Sequence, residues 1–327
     1  MDIYIDYANL KSYVASASNS NFNDCNRMLK NKFNIKFTFP KEQMISDPDI
    51  KQWMVIMMQG VNNNISFKVA HPTRPLKTQT YKDFDKSQLS AVYLLDDEKT
   101  ATIRENGMFI FGEVGKEVDT ISSLIVNQDY GFAKQLPIKK LKSWHDISPF
   151  LSPCSDIILV DQYLFCFEEL YDKNVISLIG ELSKNAKQAK MNIVILTSKE
   201  CYDKRSKRTF TPNWDNIKAK IKKEVEKNTK VKPNLTFVLS KNLEEHDRSI
   251  FTNYKSIESG DTFTYFDNAG NIISNGRHLE IFSLAEMDYY DNSRVFIEDM
   301  QKIINRESKR NSSNIIGDKI SNYLDFS

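Results

Sequence analysis

Residues 155–165 read SDIILVDQYLF, and the four apolar residues Ile157, Ile158, Leu159 and Val160 decide the fold of the chain's second half. An unbroken apolar run of this length, with no polar alternation, is what a strand covered on both faces requires. Asp161, Tyr163 and Phe165 follow where that strand ends. Downstream, Val175, Leu178, Ile179, Leu182, Ala186 and Ala189 recur at helical spacing and predict an amphipathic helix over 175–190. NIVILT at 192–197 predicts a second buried strand, so strand, helix and strand form a right-handed βαβ unit. Further on, 212–228 predicts a helix, LTFVL at 235–239 a third strand, and 248–254, 262–266 and 279–283 more strands. DNAGN at 267–271 predicts a turn, and 295–305 a closing helix. The reading is α/β for this half, a mixed sheet covered by helices, and α+β for the chain as a whole.

Working back towards the start, DIYIDYANL (2–10) predicts a short strand running into a helix. Trp53, Val55, Ile56 and Met57 predict a mostly buried helix ended by Gly60. SAVYLLD at 90–96, a return over 101–104, a turn at Asn106-Gly107 and MFIFG at 108–112 together predict an antiparallel meander, covered by a helix over 118–126. Asp2, Asp6 and Asn9 faintly resemble the acidic start of PIN- or NYN-type nucleases, where carboxylates at strand ends hold magnesium, with Asp96 and Asp97 as further donors. Those nucleases alternate strand and helix where this region predicts a meander. The acids are therefore read as surface carboxylates and no metal is assigned. His71, in the proline-punctuated AHPTRP, is read as a surface histidine.

PIKKLKSWHDISPFLSP, 137–153, has the prolines and lysines of a connector with Trp144 packing it down, and His145 in it is given no catalytic part. It divides the chain into a regulatory or recognition domain over 1–150 and a second domain with its tail over 151–327. The end of the chain, with SKRNSSN and NIIGDKISNYLDF, predicts a short docking helix or a partly disordered tail.

Composition narrows the function. The chain has 327 residues with 45 basic against 43 acidic, a net charge of +2, so any electrostatic site is local. Cys25, Cys154, Cys166 and Cys201 lack CxxC spacing, which speaks against zinc and disulfides and for free thiols in a reducing cytoplasm. No apolar stretch approaches the ~18 residues of a membrane span. Only ten glycines are present, which leaves little room for glycine-rich phosphate loops, and no cofactor is expected. The richness in Asn and Lys fits an AT-rich bacterial genome.

The second half also carries a motif. In EEHDRSIFTNYKSIESGDTF, which follows LTFVLSKNL, His246, Arg248 and Asn253 stand with one and four residues between them. Those are the offsets of the His-Lys-Asp motif of phospholipase-D-like proteins, and ILVDQYLF looks like the Asp-x-Tyr strand end of related domains. Residues from about 150 to 306 resemble a degenerate member of that superfamily, similar to the non-catalytic C-terminal domain of MIT-domain proteins. The resemblance implies phosphate binding at His246, Arg248 and Asn253. An active member would use His246 as nucleophile, and a single motif would then require a homodimer. Arginine in place of lysine still binds phosphate bidentately, whereas Asn253 supplies no negative charge.

A basic cluster lies in the same half. Lys204, Arg205, Lys207 and Arg208 precede a helix bearing Lys218 and Lys222, with Tyr202, Phe210 and Trp214 interleaved. Backbone charge plus stacking rings suits nucleic acid, single strands above all. The expected function is a phosphate- or nucleic-acid-binding module of a bacterial cytoplasmic system such as phage defence. The alternatives are a homodimeric metal-independent nuclease using His246 and a structural subunit with a protein partner.

Overall fold

The computed structural model describes residues 1–59, 65–70, 91–95, 113–124, 131–184, 186, 190–203, 207–241, 243 and 248–326. Two sheets organise them. The first begins with β1 (Asp2–Ile5), α1 (Tyr7–Ala15), α2 (Phe22–Lys32) and β2 (Asn34–Phe37). It continues through α3 (Lys41–Ser46), α4 (Pro48–Met58), β3 (Ile65–Ser66), β4 (Val92–Leu94) and α5 (Glu117–Ser122). Its order is β3-β2-β1-β4, with each described pairing parallel. The first strand of the expected meander thus pairs parallel with β1, because the helices between β1 and β4 carry the chain back across one face. The later members, 101–104 and 108–112, lie outside the described residues, as do Asp96 and Asp97. Within α4, Ile50, Trp53, Met54 and Met57 are buried, while Val55 and Ile56 face outwards.

The second sheet has eight strands in the order β14-β10-β7-β6-β11-β12-β13-β5. These are β5 (Ala133–Pro137), β6 (Asp156–Val160), β7 (Asn192–Thr197), β10 (Asn234–Leu239), β11 (Ser249–Thr252), β12 (Lys255–Ser259), β13 (His278–Ser283) and β14 (Ile315–Gly317). A separate hairpin joins β8 (Cys201–Asp203) to β9 (Arg208–Phe210). β6, β7 and β10 are parallel, and the other strands of the large sheet are antiparallel to their neighbours. α6 (Ser177–Ser183) and α7 (Trp214–Thr229) cover one face, whose side chains include Ile157, Leu159, Ile193, Ile195 and Phe237. α8 (Met287–Arg310) covers the other, against Ile158, Val160, Val194 and Leu196.

Four expectations change. The 137–153 connector belongs to the second sheet's core: β5 is its edge strand, and Trp144 is buried and stacked on Tyr265. The chain therefore enters this sheet near Ala133, upstream of the expected boundary at 150. Residues 262–266 form a loop with a single bridge from Phe266 to Ile272, and β12 takes the strand position instead. The predicted 175–190 helix starts as a π turn over Asp172–Ile176. Finally the tail is neither loose nor a helix. β14 adds to the sheet edge, and Tyr323 and Leu324 are buried beside α8. Gly317, at φ +116°, allows this, since a Cβ there would lie 2.1 Å from the Leu235 carbonyl oxygen.

The two sheets share a core. Tyr4 and Tyr93 of the first sheet join Phe251, Tyr290 and Tyr323 in one cluster. At the β11–β12 turn the Tyr254 hydroxyl donates to the Ala91 carbonyl (2.7 Å) and Lys255 Nζ to the Leu124 carbonyl (2.9 Å). Burial holds the Lys255 amine well below the usual lysine range.

Candidate functional site

The carboxyl ends of parallel strands are where an α/β sheet leaves a crevice for ligands. Asp161 stands at the end of β6 and is fully buried. One of its oxygens accepts from the Tyr163 amide (2.9 Å), the other from the Thr262 hydroxyl (2.7 Å) and the Phe263 amide (2.8 Å). Burial raises its pKa, and these bonds and the nearby Arg248 charge oppose the rise. Arg248 immediately precedes β11, whose Ser249 pairs with Val160, so the guanidinium reaches the same strand end. It donates from Nη1 to the Gly260 carbonyl (2.8 Å) and lies 5.9 Å from the centre of the Tyr163 ring. Its Nε is shielded from water and has no partner among the described residues. Asp161, Tyr163, Arg248 and the 260–263 loop thus form one cluster that anchors a guanidinium near a buried carboxyl group. The sequence signals for it were the Asp-x-Tyr strand end and the GDTF segment.

The other motif positions do not join Arg248. His246 lies outside the described residues. Asn253 sits at the far end of β11, fully buried, and does not bind phosphate in this fold. Its Oδ1 accepts from the amides of Ser155 (2.7 Å) and Asp156 (3.0 Å), and its Nδ2 donates to the Tyr323 hydroxyl (3.0 Å). Four β11 residues at ~3.4 Å each separate it from Arg248.

The basic cluster is also redistributed. Lys204 and Arg205 lie outside the described residues; Lys207 and Arg208 are exposed on the β8–β9 hairpin beside the exposed Tyr202. Trp214 is no stacking platform, because its ring packs on Phe165 and Phe237 at 5.4 and 5.3 Å in the core. Together with Ile217, Ile221 and Val225 it makes the buried stripe of α7. Lys218 and Lys222 turn to Asp318 of the tail (3.5 and 2.7 Å) and Lys220 to Asp172 (3.0 Å). Lys218 and Lys222 thus share one carboxylate within the fold, while Lys207 and Arg208 stay exposed. His145, in the former connector, has Nδ1 3.1 Å from Glu181 Oε1 and is largely exposed.

A groove of about 820 Å³ opens beside Arg248, between the β11–β13 face and α8. Ser249, Glu258 and Glu280 stand in register across its floor. Arg248, Arg277 and His278 edge it, and Phe296 and Asp299 come from α8.

In the first sheet the chain steps outwards from β1 to β3 and then returns to the opposite side of β1, which places the crevice at the carboxyl ends of β1 and β4. Asp6 is there, capping α1 and accepting from the Asn9 amide (2.8 Å) and Nδ2 (3.0 Å). Asn9 Oδ1 is buried without a partner among the described residues. Glu117 is buried nearby and accepts from the Ser12 hydroxyl (3.1 Å). Its pKa is raised first by burial, then by the charge of Asp6, against the opposing hydrogen bonds. Asp2 is at the other end of β1, paired with Lys36. Among the described residues no group of three or more His, Cys, Asp or Glu side chains gathers as a metal site. No known protein family, curated protein or solved structure matches the chain.

Proposed function

We propose that the second half is a phosphodiester-binding module of the phospholipase-D-like type, with Arg248 as its phosphate anchor. The observation that carries this reading is the placement of Arg248. It stands at the carboxyl ends of the parallel strands, held by Gly260 and Tyr163, beside a buried carboxylate and at the mouth of a groove. A guanidinium fixed in this way loses little freedom on meeting a phosphate and meets it with two donors. Lys207 and Arg208 would extend contact along a polyanion. Single-stranded nucleic acid is the ligand this arrangement suits best, in a bacterial cytoplasm. Four buried free thiols support a reducing compartment, and among the described residues no helix is long and apolar enough to cross a membrane.

One observation favours a second reading. The first sheet is parallel, as a strand-end metallonuclease requires, and Asp6, Glu117 and the unpaired Asn9 Oδ1 are hard oxygen donors at its crevice. They would hold a magnesium or manganese ion, which would supply Lewis acidity towards a phosphodiester. The test is incubation of the full chain with labelled single-stranded DNA and RNA, with magnesium or with EDTA. A salt-dependent complex in EDTA with uncut strands supports the binding module. Cleavage in magnesium alone, lost with Asp6→Asn, establishes the second reading. EDTA-resistant cleavage lost with His246→Ala would instead make the chain a metal-independent nuclease. Neither complex nor cleavage would point to a structural subunit.

A further inference from the structure

We infer that the groove beside Arg248 is a nucleobase pocket that reads a donor edge, guanine best, through Glu258 and Glu280. This rests on the phosphodiester reading and adds to it the identity of the base. Ser249 pairs with Glu258 and Glu258 with Glu280, so three neighbouring strands present these side chains on the face turned to α8. Two carboxylates directly opposite each other on neighbouring strands repel. Here nothing basic is set between them. Glu258 has no hydrogen bond or ion pair among the described residues, and Glu280 accepts from Gln135. The groove walls and the Glu280 charge, in that order, hold the Glu258 carboxyl above its usual range. Glu258 is exposed and Glu280 half-buried, so this pair of acceptors faces an open groove that a ligand bringing donors can enter.

The rim says what else that ligand carries. Arg248 closes one end, while Arg277 and His278 stand at the start of β13. Two strand spacings of ~4.8 Å separate Arg248 from Glu280, within the reach of a single nucleotide. A phosphate on Arg248 therefore leaves its base over the carboxylates, and the half-buried Phe296 of α8 offers a ring beside it. Among the bases, guanine presents adjacent N1–H and 2-amino donors that match both oxygens of one carboxylate. Cytosine and adenine present one amino group, and thymine presents a single N–H flanked by carbonyls that a carboxylate repels.

The experiment measures fluorescence anisotropy of DNA pentamers with four thymidines around a central guanine, inosine, cytosine, adenine or thymine, at low salt. The wild type is expected to bind the guanine probe about tenfold tighter than the thymine probe, with inosine between them. Glu258→Gln with Glu280→Gln is expected to reduce that ratio below about twofold, with the all-thymine probe bound at least as tightly as by the wild type. Equal wild-type affinity for all five probes, abolished by Arg248→Ala, overturns the base pocket and leaves the phosphodiester reading standing. An unchanged guanine preference in the double variant also overturns it. If the wild type binds none of the probes, both readings fall.

Discussion

The parallel strands β6, β7 and β10 carry similar residue types at both ends, yet the two ends differ in what their polar groups have left to give. At the amino ends Asp156, Asn192, Asn253 and Asn322 saturate one another. Asp156 accepts from Asn192 Nδ2 (3.0 Å), Asn322 Nδ2 (2.8 Å) and the Ser155 hydroxyl (2.7 Å), and the tail seals them from water. At the carboxyl ends Asp161 is equally well bonded, but the Arg248 guanidinium, whose Nη1 bond to Gly260 is exposed, edges a groove with the exposed Glu258 carboxylate on its floor. A saturated buried group holds a fold together, whereas a group with bonding capacity left facing water is available to a ligand. Residue type and spacing do not separate these cases; an account of donors and acceptors does.

The comparison breaks most severely if the amino end loses its seal. Removing residues 311–327 deletes β14, the buried Ile315, Tyr323 and Leu324, and the Asn322 bonds to Asp156. At ~1.5–3 kcal/mol for each large apolar side chain, the loss is comparable to the ~5–15 kcal/mol stability of a whole domain. The truncated chain should show no cooperative urea transition in circular dichroism. A sharp transition near that of the full chain would mean that the tail is dispensable. Next comes Asn253→Ala, which removes the acceptor of the Ser155 and Asp156 amides and the donor to the Tyr323 hydroxyl in the core. At ~0.5–1.5 kcal/mol for each of the three lost hydrogen bonds the expected cost is roughly 1.5–4.5 kcal/mol, read from the urea midpoint. A cost under about 1 kcal/mol would show that Asn253 is not the structural post described here.

Much of this was legible in the sequence, and the misses have physical causes. IILV and NIVILT could be read because a strand buried on both faces has little alternative to continuous apolar residues. The β12 segment KSIES escaped because Lys255 resembles a loop residue, and its burial depends on an acceptor at Leu124, 131 positions earlier. Parallel pairing of β1 with β4 was hidden because pairing direction is set by where the intervening helices pack, and not by the strands' own alternation. Trp214 was read as a stacking ring although Ile217, Ile221 and Val225 already marked its side of α7 as buried. The motif offsets point to Arg248 and Asn253 alike and do not tell that β11 puts the one beside a groove and the other in the core.

At the open end the expected effect moves from stability to binding. Arg248→Ala removes one exposed hydrogen bond to Gly260 and should change unfolding free energy by less than about 1 kcal/mol. The same change should weaken single-stranded DNA binding about tenfold at low salt and reduce the log–log salt slope by ~0.7. A variant that unfolds as readily as Asn253→Ala would erase the distinction between the ends, because Arg248 would then also be structural.

The smallest effect concerns the unmatched acid. Glu258 has a folded pKa above the ordinary 4.5, through partial burial and then through Glu280. A raised folded pKa means that the group's favourable contribution is present below about 4.5 and is lost as pH rises through the folded value. At neutral pH the ionised pair is therefore a mild liability. Arg248, Arg277 and His278 line the same groove together with Asp299, and water screens all of them. Glu258→Gln should accordingly stabilise the chain by roughly 0.2–0.5 kcal/mol at pH ~7, with the gain vanishing near pH ~4. Urea midpoints of both proteins across that range test this. A gain that persisted in acid would mean that repulsion from Glu280 is not its source, and that Glu258 is not held in reserve for a ligand's donors.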